Sequence, residues 1–194
     1  MIAGLILAAG ESSRMGSDKA LLTYRGRTFL ETIIFSLRSA GIEQIAVVLG
    51  HHAEEIQRAV SLAGTRVVLN RDYRRGQTSS LQAGLAALAE QSPEAVILCL
   101  VDHPVVSSEV IRKLRDRFVR SMPPVVVPTC LGQRGHPVVI NCALFSELLA
   151  LGPDEAANGV IRKYRDATEF VAVEDRGILL DVDDPGAYKN LERD

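Results

Sequence analysis

The stretch "LILAAGESSRMGSDKALL", residues 5–22, decides how the rest of the chain is read. An apolar run stops at Ala8-Ala9-Gly10, and a polar loop carrying Arg14, Gly16 and Lys19 follows before the sequence turns apolar again. Runs like the first one recur: "IAGLILA" (2–8), "QIAVVLG" (44–50), "TRVVLN" (65–70), "AVILCLV" (95–101) and "PPVVVPT" (123–129). Each is short and almost unbroken in Val, Ile and Leu, the pattern of strands buried on both faces.

Helical patterns lie between them. In "FLETIIFSLRSAG" (29–41), Leu30, Ile33, Ile34 and Leu37 share one face and Gly41 offers a C-terminal cap. "AEEIQRAVSLAG" (53–64), "SLQAGLAALAEQ" (80–91) and "SEVIRKLRDRFV" (108–119) continue the series. Strand and helix alternating at this spacing predict βαβ units: an α/β, three-layer, mainly parallel, Rossmann-like sheet with helices on both faces. The regularity breaks after Pro128. "GHPVVIN" (135–141) reads as a further, antiparallel strand, followed by helices near 143–150 and 157–165, a strand pair or hairpin around 168–182 and a short helix from Pro185. The chain shows no repeat or linker, which predicts one domain over residues 1–194.

Bulk composition narrows the function. The 194 residues carry a net charge of -2, and a nucleic-acid binder would normally show a basic excess. Five Phe, four Tyr and no Trp leave little for base stacking. Cys99, Cys130 and Cys142 lack metal-type spacing, so neither a zinc site nor a disulfide framework is expected. The start "MIAGLIL" has no basic leader pattern and no run reaches membrane-spanning length, so the expected location is the cytoplasm.

Ligands of open parallel sheets bind beyond the carboxyl ends of the strands. The loop after residues 2–8 matches neither the P-loop nor the dinucleotide fingerprint, yet its physics is related. A strand ending in Ala-Ala-Gly lets a ligand reach the backbone, whose N–H groups can cradle an anion. Arg14 and Lys19 would add charge for phosphate oxygens, and Ser12 and Ser13 small donors. The same residues also fit an ordinary βα connection with solvated charges. Asp102, directly after "AVILCLV", is placed to hold Mg2+ at the sheet edge; Ser107 or Ser108 suits the cap of the next helix better. Asp181, Asp183 and Asp184 crowd before Pro185, an arrangement that a cation or plain solvation would relieve.

"LAAGESSRMGSDKALL" closely resembles the signature L-A-A-G-x-S-x-R-M-G-x-x-K of the nucleotidyltransferases related to molybdenum-cofactor biosynthesis. The resemblance extends to "NRDYRRGQTSSLQAGL" (70–85), "LVDHPVV" (100–106), "GQRGHPVVI" (132–140) and "LLDVDDPGAY" (179–188). These segments stand in the family's order and span nearly the whole chain. The nearest subgroup is the molybdenum cofactor cytidylyltransferases, because Ala9 stands where guanylyltransferase relatives have L-A-G-G.

The resemblance implies a nucleotide-diphospho-sugar transferase-like fold and a Mg2+-dependent transfer of CMP from CTP, with release of pyrophosphate. It implies that Leu7, Ala8, Ala9, Gly10, Ser12, Arg14 and Lys19 hold the nucleotide, with Asn70 and Ser80 at base and ribose. Arg14, Lys19 and Asp102 become the catalytic residues, Asp102 with Asp181 and Asp183 the metal site, and His136 an acceptor contact or a buried structural histidine. Relatives often carry Gln at the position of His103, which argues against a metal role there. His51 and His52 read as surface or capping residues, Thr78 and Ser79 as helix caps, and Arg74 and Arg75 as solvated charge or contacts to an acceptor phosphate.

The sequence departs from the subgroup at "LGPDEAANGVIRKY" (151–164). It keeps Gly152, Asp154 and Arg162 but lacks the compact G-A-R of the acceptor site. Three readings therefore stand: transfer to a molybdopterin-type acceptor, transfer to another acceptor such as a sugar or polyol phosphate, and a non-catalytic carrier serving a molybdenum hydroxylase apoenzyme. Arg14, Lys19 and Asp102 together favour the first two, since binding alone needs no aligned α-phosphate.

Overall fold

Along the chain the elements are β1 (Ile2–Ala8), β2 (Thr23–Tyr24), β3 (Arg27–Thr28), α1 (Phe29–Ser39), β4 (Ile45–Leu49), α2 (Ala53–Ala59) and β5 (Arg66–Leu69). There follow α3 (Gln77–Ala89), β6 (Ala95–Leu100), α4 (Ser108–Ser121), β7 (Val125–Cys130), β8 (Gln133–Arg134) and β9 (Val138–Asn141). The chain continues through α5 (Phe145–Leu149), α6 (Ala157–Lys163), β10 (Glu169–Ala172) and α7 (Pro185–Leu191). This computed structural model describes residues 1–153 and 155–191; Asp154, singled out in the sequence, and the segment after Leu191 lie outside the described residues.

The main sheet has the order β10-β7-β9-β6-β1-β4-β5, with β8 paired to β7. β5, β4, β1 and β6 run parallel, whereas β9 is antiparallel to both β6 and β7. β1 is central because all but its first residue are buried, which only an interior strand can supply. Successive residues of β1 then feed two cores. Ile6 and Ala8 pack under α1, α2 and α4 with Ile33, Ile56 and Leu114. Leu5, Leu7 and Ala9 pack under α3, α5 and α6 with Leu85, Leu148 and Val160. These are the three layers expected.

Local chemistry fixes the helix ends. Thr28 and Glu31 form a reciprocal capping box at α1, with Glu31 N–H donating to Thr28 Oγ1 at 3.2 Å and Thr28 N–H to Glu31 Oε2 at 2.9 Å. Ser107 caps α4. α3 begins at Gln77, three residues before the stretch expected from the sequence, because Gly76 at φ 94° turns the chain into it. Gly84, costly in a helix, faces the sheet: a Cβ there would stand 2.3 Å from Leu5 Cδ1 and 3.0 Å from Val48 Cγ2. A neighbouring strand, not a ligand, requires that glycine.

The C-terminal part differs from the sequence reading at two points. The hairpin expected around 168–182 is instead one strand, β10, parallel to β7, followed by a 3-10 turn over Arg176–Leu179. Val173 N–H donates to Thr129 O, so the chain after β10 is held to β7 and, among the described residues, has no returning partner strand. α2 ends at Ala59, where Val60 goes extended into the core, rather than running to Gly64. The cysteines are free, with Cys99 and Cys130 buried and Cys142 exposed. Among the described residues no helix is long and apolar enough to cross a membrane.

Candidate functional site

The loop between β1 and α1 folds over the carboxyl ends of β1 and β6, enclosing a cleft of about 320 Å³. Ser12, at φ 50°, turns the loop back: its carbonyl accepts from Met15 N–H at 2.9 Å and its Oγ from Lys19 N–H at 3.1 Å. Asp18 Oδ1 accepts from Ala20 N–H at 3.1 Å and so fixes the short helical turn that carries Lys19. Ala9 O accepts from His51 N–H and Leu7 O from Val101 N–H, tying the three neighbouring loops together.

Lys19 points into this cleft with its side chain 11% exposed. Its Nζ donates to Asp183 Oδ1 at 2.5 Å and lies 3.4 Å from Asp102 Oδ2. Arg14 Nη2 donates to the other Asp183 oxygen at 2.5 Å. The Lys19 ammonium, helped by Arg14, holds the Asp183 carboxyl below the usual carboxylate range. Asp181 shifts the opposite way, raised first by burial and then by the charges of Asp102 and Asp183. Val182 N–H donates to Asp102 O at 2.9 Å and pins the closing acidic segment to the end of β6.

Asp102, His103 and Asp181 each bring one donor atom within 4.8 Å of the others. Asp102 Oδ1 is buried and, among the described residues, has no hydrogen-bond partner. A buried carboxylate oxygen left free beside two further donors fits a divalent cation. The converging set includes His103, which the sequence reading set aside, and Asp181, while Asp183 is engaged by the two cations.

Leu7, Ala9, Gly10, Ser12, Arg14, Lys19, Ser80 and Asp102 line the cleft together. Ala8 turns into the opposite core, and Asn70 stands behind the wall. The Asn70 amide donates to Ser79 Oγ at 2.9 Å and Ser80 Oγ at 3.0 Å, so it positions Ser80 at the start of α3. His136 lines a second cavity, of about 520 Å³, with Arg134, Arg162 and apolar side chains. The two spaces share Leu7, Gln77 and Leu100 as a common wall. Burial lowers the pKa of His136 to about 4, and lowers that of His103 as well, so both rings are neutral near neutrality.

Tyr73 and Gln77 also border the cleft and were missed in the sequence. Tyr73 is an aromatic residue isolated in a charged loop, which is the signal that could have found it. Its hydroxyl lies 3.1 Å from His51 Nδ1, and a Cβ on Gly50 would stand 2.7 Å from its own. Arg74, beside it, is taken by Glu11 at 2.9 Å.

The family model described as the MobA-like NTP transferase domain matches residues 4–168. Nicotine blue oxidoreductase of Paenarthrobacter nicotinovorans is 29% identical over 94% of this chain and 92% of its own length. A probable molybdenum cofactor guanylyltransferase of Opitutus terrae is 32% identical over 55% of this chain and 50% of its own. Among solved structures, Rv0371c from Mycobacterium tuberculosis H37Rv has a TM-score of 0.88 at 32% identity, covering 100% of this chain and 97% of the other. A manganese complex of Rv0371c has a TM-score of 0.83 at 30% identity, covering 99% and 98%.

Proposed function

The chain belongs to the MobA-like NTP transferase family, and on that premise we propose that it transfers CMP from CTP to the terminal phosphate of a molybdopterin-type acceptor, with Mg2+ as the divalent ion and pyrophosphate as leaving group. The observation that carries this reading is the shared wall between the two cavities, with Lys19 and Asp102 in the smaller and His136, Arg134 and Arg162 in the larger. A two-substrate transfer needs two anions side by side, and this arrangement suits one in each space.

In this reading Lys19 and Arg14 exchange Asp183 for phosphate oxygens, and the N–H groups around Gly10 meet the departing pyrophosphate. Asp102 and Asp181 hold the ion; Mg2+, when bound, neutralises charge building on the α-phosphate. The manganese complex of Rv0371c supports a divalent site in this fold. Ser80, held by Asn70, borders the ribose end. Ala9, in place of the glycine of guanylyl relatives, supports cytosine as the base.

A second reading keeps the nucleotidyl step and changes the acceptor to a sugar or polyol phosphate. It is favoured by the missing G-A-R in residues 151–164 and by the two arginines of the larger cavity. Pyrophosphate release measured with each of the four NTPs against a panel of molybdopterin, sugar phosphates and polyol phosphates tests both. Turnover with CTP and molybdopterin is the expected result. Turnover with another acceptor selects the second reading. Nucleotide binding without any turnover would leave only a carrier for a molybdenum hydroxylase apoenzyme.

A further inference from the structure

We infer that His103 is a nitrogen ligand of the divalent-ion site, which makes this centre a mixed oxygen–nitrogen site open to transition-metal ions rather than an all-carboxylate magnesium site. The inference rests on the reading above in one respect, that the ion sits at Asp102.

Three observations converge. His103 follows Asp102 in the tight turn after β6, which His103 N–H closes by donating to Leu100 O at 3.1 Å. Its ring then brings a nitrogen within 4.8 Å of carboxylate oxygens on both Asp102 and Asp181. An octahedral ion with bonds of about 2.1 Å holds neighbouring donors roughly 3 Å apart, so the three close on one ion once side-chain rotation draws them inward.

The remaining oxygens are already divided. Asp102 Oδ2 faces Lys19 while its buried Oδ1 has no partner among the described residues. Both oxygens of Asp183 are taken, by Lys19 and Arg14. A third protein donor for the ion is therefore not one of these engaged oxygens. An imidazole supplies it without adding another negative charge to a cluster that already holds Asp102, Asp181 and Asp183.

The chemical consequence is selectivity. Mg2+ favours an all-oxygen shell and gains little from imidazole, whereas nitrogen donors favour transition-metal ions. The His103 ring thus raises affinity for ions such as Mn2+ and Co2+ while leaving Mg2+ almost unchanged.

Pulsed EPR of Mn2+ bound to the full chain tests this directly. The expected result is a nitrogen modulation from a directly bound imidazole, replaced by the 15N pattern when the protein is grown with 15N-histidine and lost in His103→Gln. Calorimetry with metal chlorides should show Mn2+ and Co2+ binding weakened by about tenfold in His103→Gln, with Mg2+ changed by less than about twofold. The label marks all four histidines and the His136 ring centroid lies 5.0 Å from that of His103, so the signal must also persist in His136→Gln, which keeps the test open if His103→Gln folds poorly. Mn2+ that binds the wild type, is lost in Asp102→Asn and shows no histidine nitrogen would overturn the inference while leaving the Asp102 site standing. A nitrogen signal that persists unchanged in His103→Gln would also overturn it. Failure of the wild type to bind Mn2+ at all, with or without CTP, would remove the Asp102 site itself.

Discussion

Lys19 Nζ and Asp183 Oδ1 are 2.5 Å apart although 164 positions separate them in the chain. The contact joins the first loop to the last acidic segment across the mouth of the cleft. Arg14 grips the same carboxylate, so both cations of the first loop are engaged by the protein itself.

Removing the Lys19 charge should strike turnover rather than folding. Lys19→Ala is expected to lower kcat/KM by about 10²–10³-fold, the usual cost of losing one donor to developing charge. Its melting temperature should stay within a few degrees of wild type. Steady-state pyrophosphate release and a calorimetric scan check the two halves of the statement.

In the proposed function Asp183 competes with phosphate for Lys19 and Arg14. Asp183→Asn should therefore tighten metal-free nucleotide binding by about fivefold, in keeping with about 1 kcal/mol for a partly exposed pair. Titration of CTP in EDTA measures it. Weaker binding in the variant would mean that Asp183 organises the cations rather than competing for them.

Gly84 is dictated by the sheet. Gly84→Ala would drive a methyl group into Leu5 and Val48, overpacking the core beneath α3. A loss of about 1–3 kcal/mol is expected, and with it several degrees in Tm. An unchanged or raised Tm would show that α3 can lift from the sheet at no cost.

His136 sets a pH dependence. Its folded pKa of about 4 lies below the unfolded value, so the unfolded chain binds the extra proton first on acidification. The associated stability is fully present above about pH 6.5 and is lost as pH falls toward 4, by about 3 kcal/mol in all. Urea unfolding at a series of pH values should give a shallower acid slope in His136→Gln than in wild type. Parallel slopes would show that other groups carry the acid sensitivity.

Much of the fold was legible because each parallel strand declares itself in one unbroken apolar run. β1 falls on the stretch read from the sequence, Ile2–Ala8, and β4, β5 and β6 lie within theirs. The region after β9 was harder. β10 alternates between exposed and half-buried residues at the sheet edge, and nothing local distinguishes an edge strand with one partner from half of a hairpin. The loop cations and Asp102 could be read from their positions after strands. The bracket that Asn70 forms for Ser80 across one loop, and the approach of His103 to Asp181 from a distant part of the chain, depend on tertiary packing that no spacing rule contains. Tyr73 did carry a local signal, a lone aromatic in a charged loop, but its partner His51 lies on another loop.

The reversed direction of β9 has a consequence for how such a chain can diversify. A parallel strand presents its end to the ligand rim, but β9 presents its beginning, so the residues entering it, Gly135 and His136, stand beside those leaving β6. The way into β9 is fixed rather than free: a Cβ on Gly135 would stand 2.2 Å from Ile178 O, and His136 N–H donates to that same oxygen at 3.0 Å. Variation in the larger cavity is therefore left to side chains such as Arg134, while the entry to β9 keeps its backbone course.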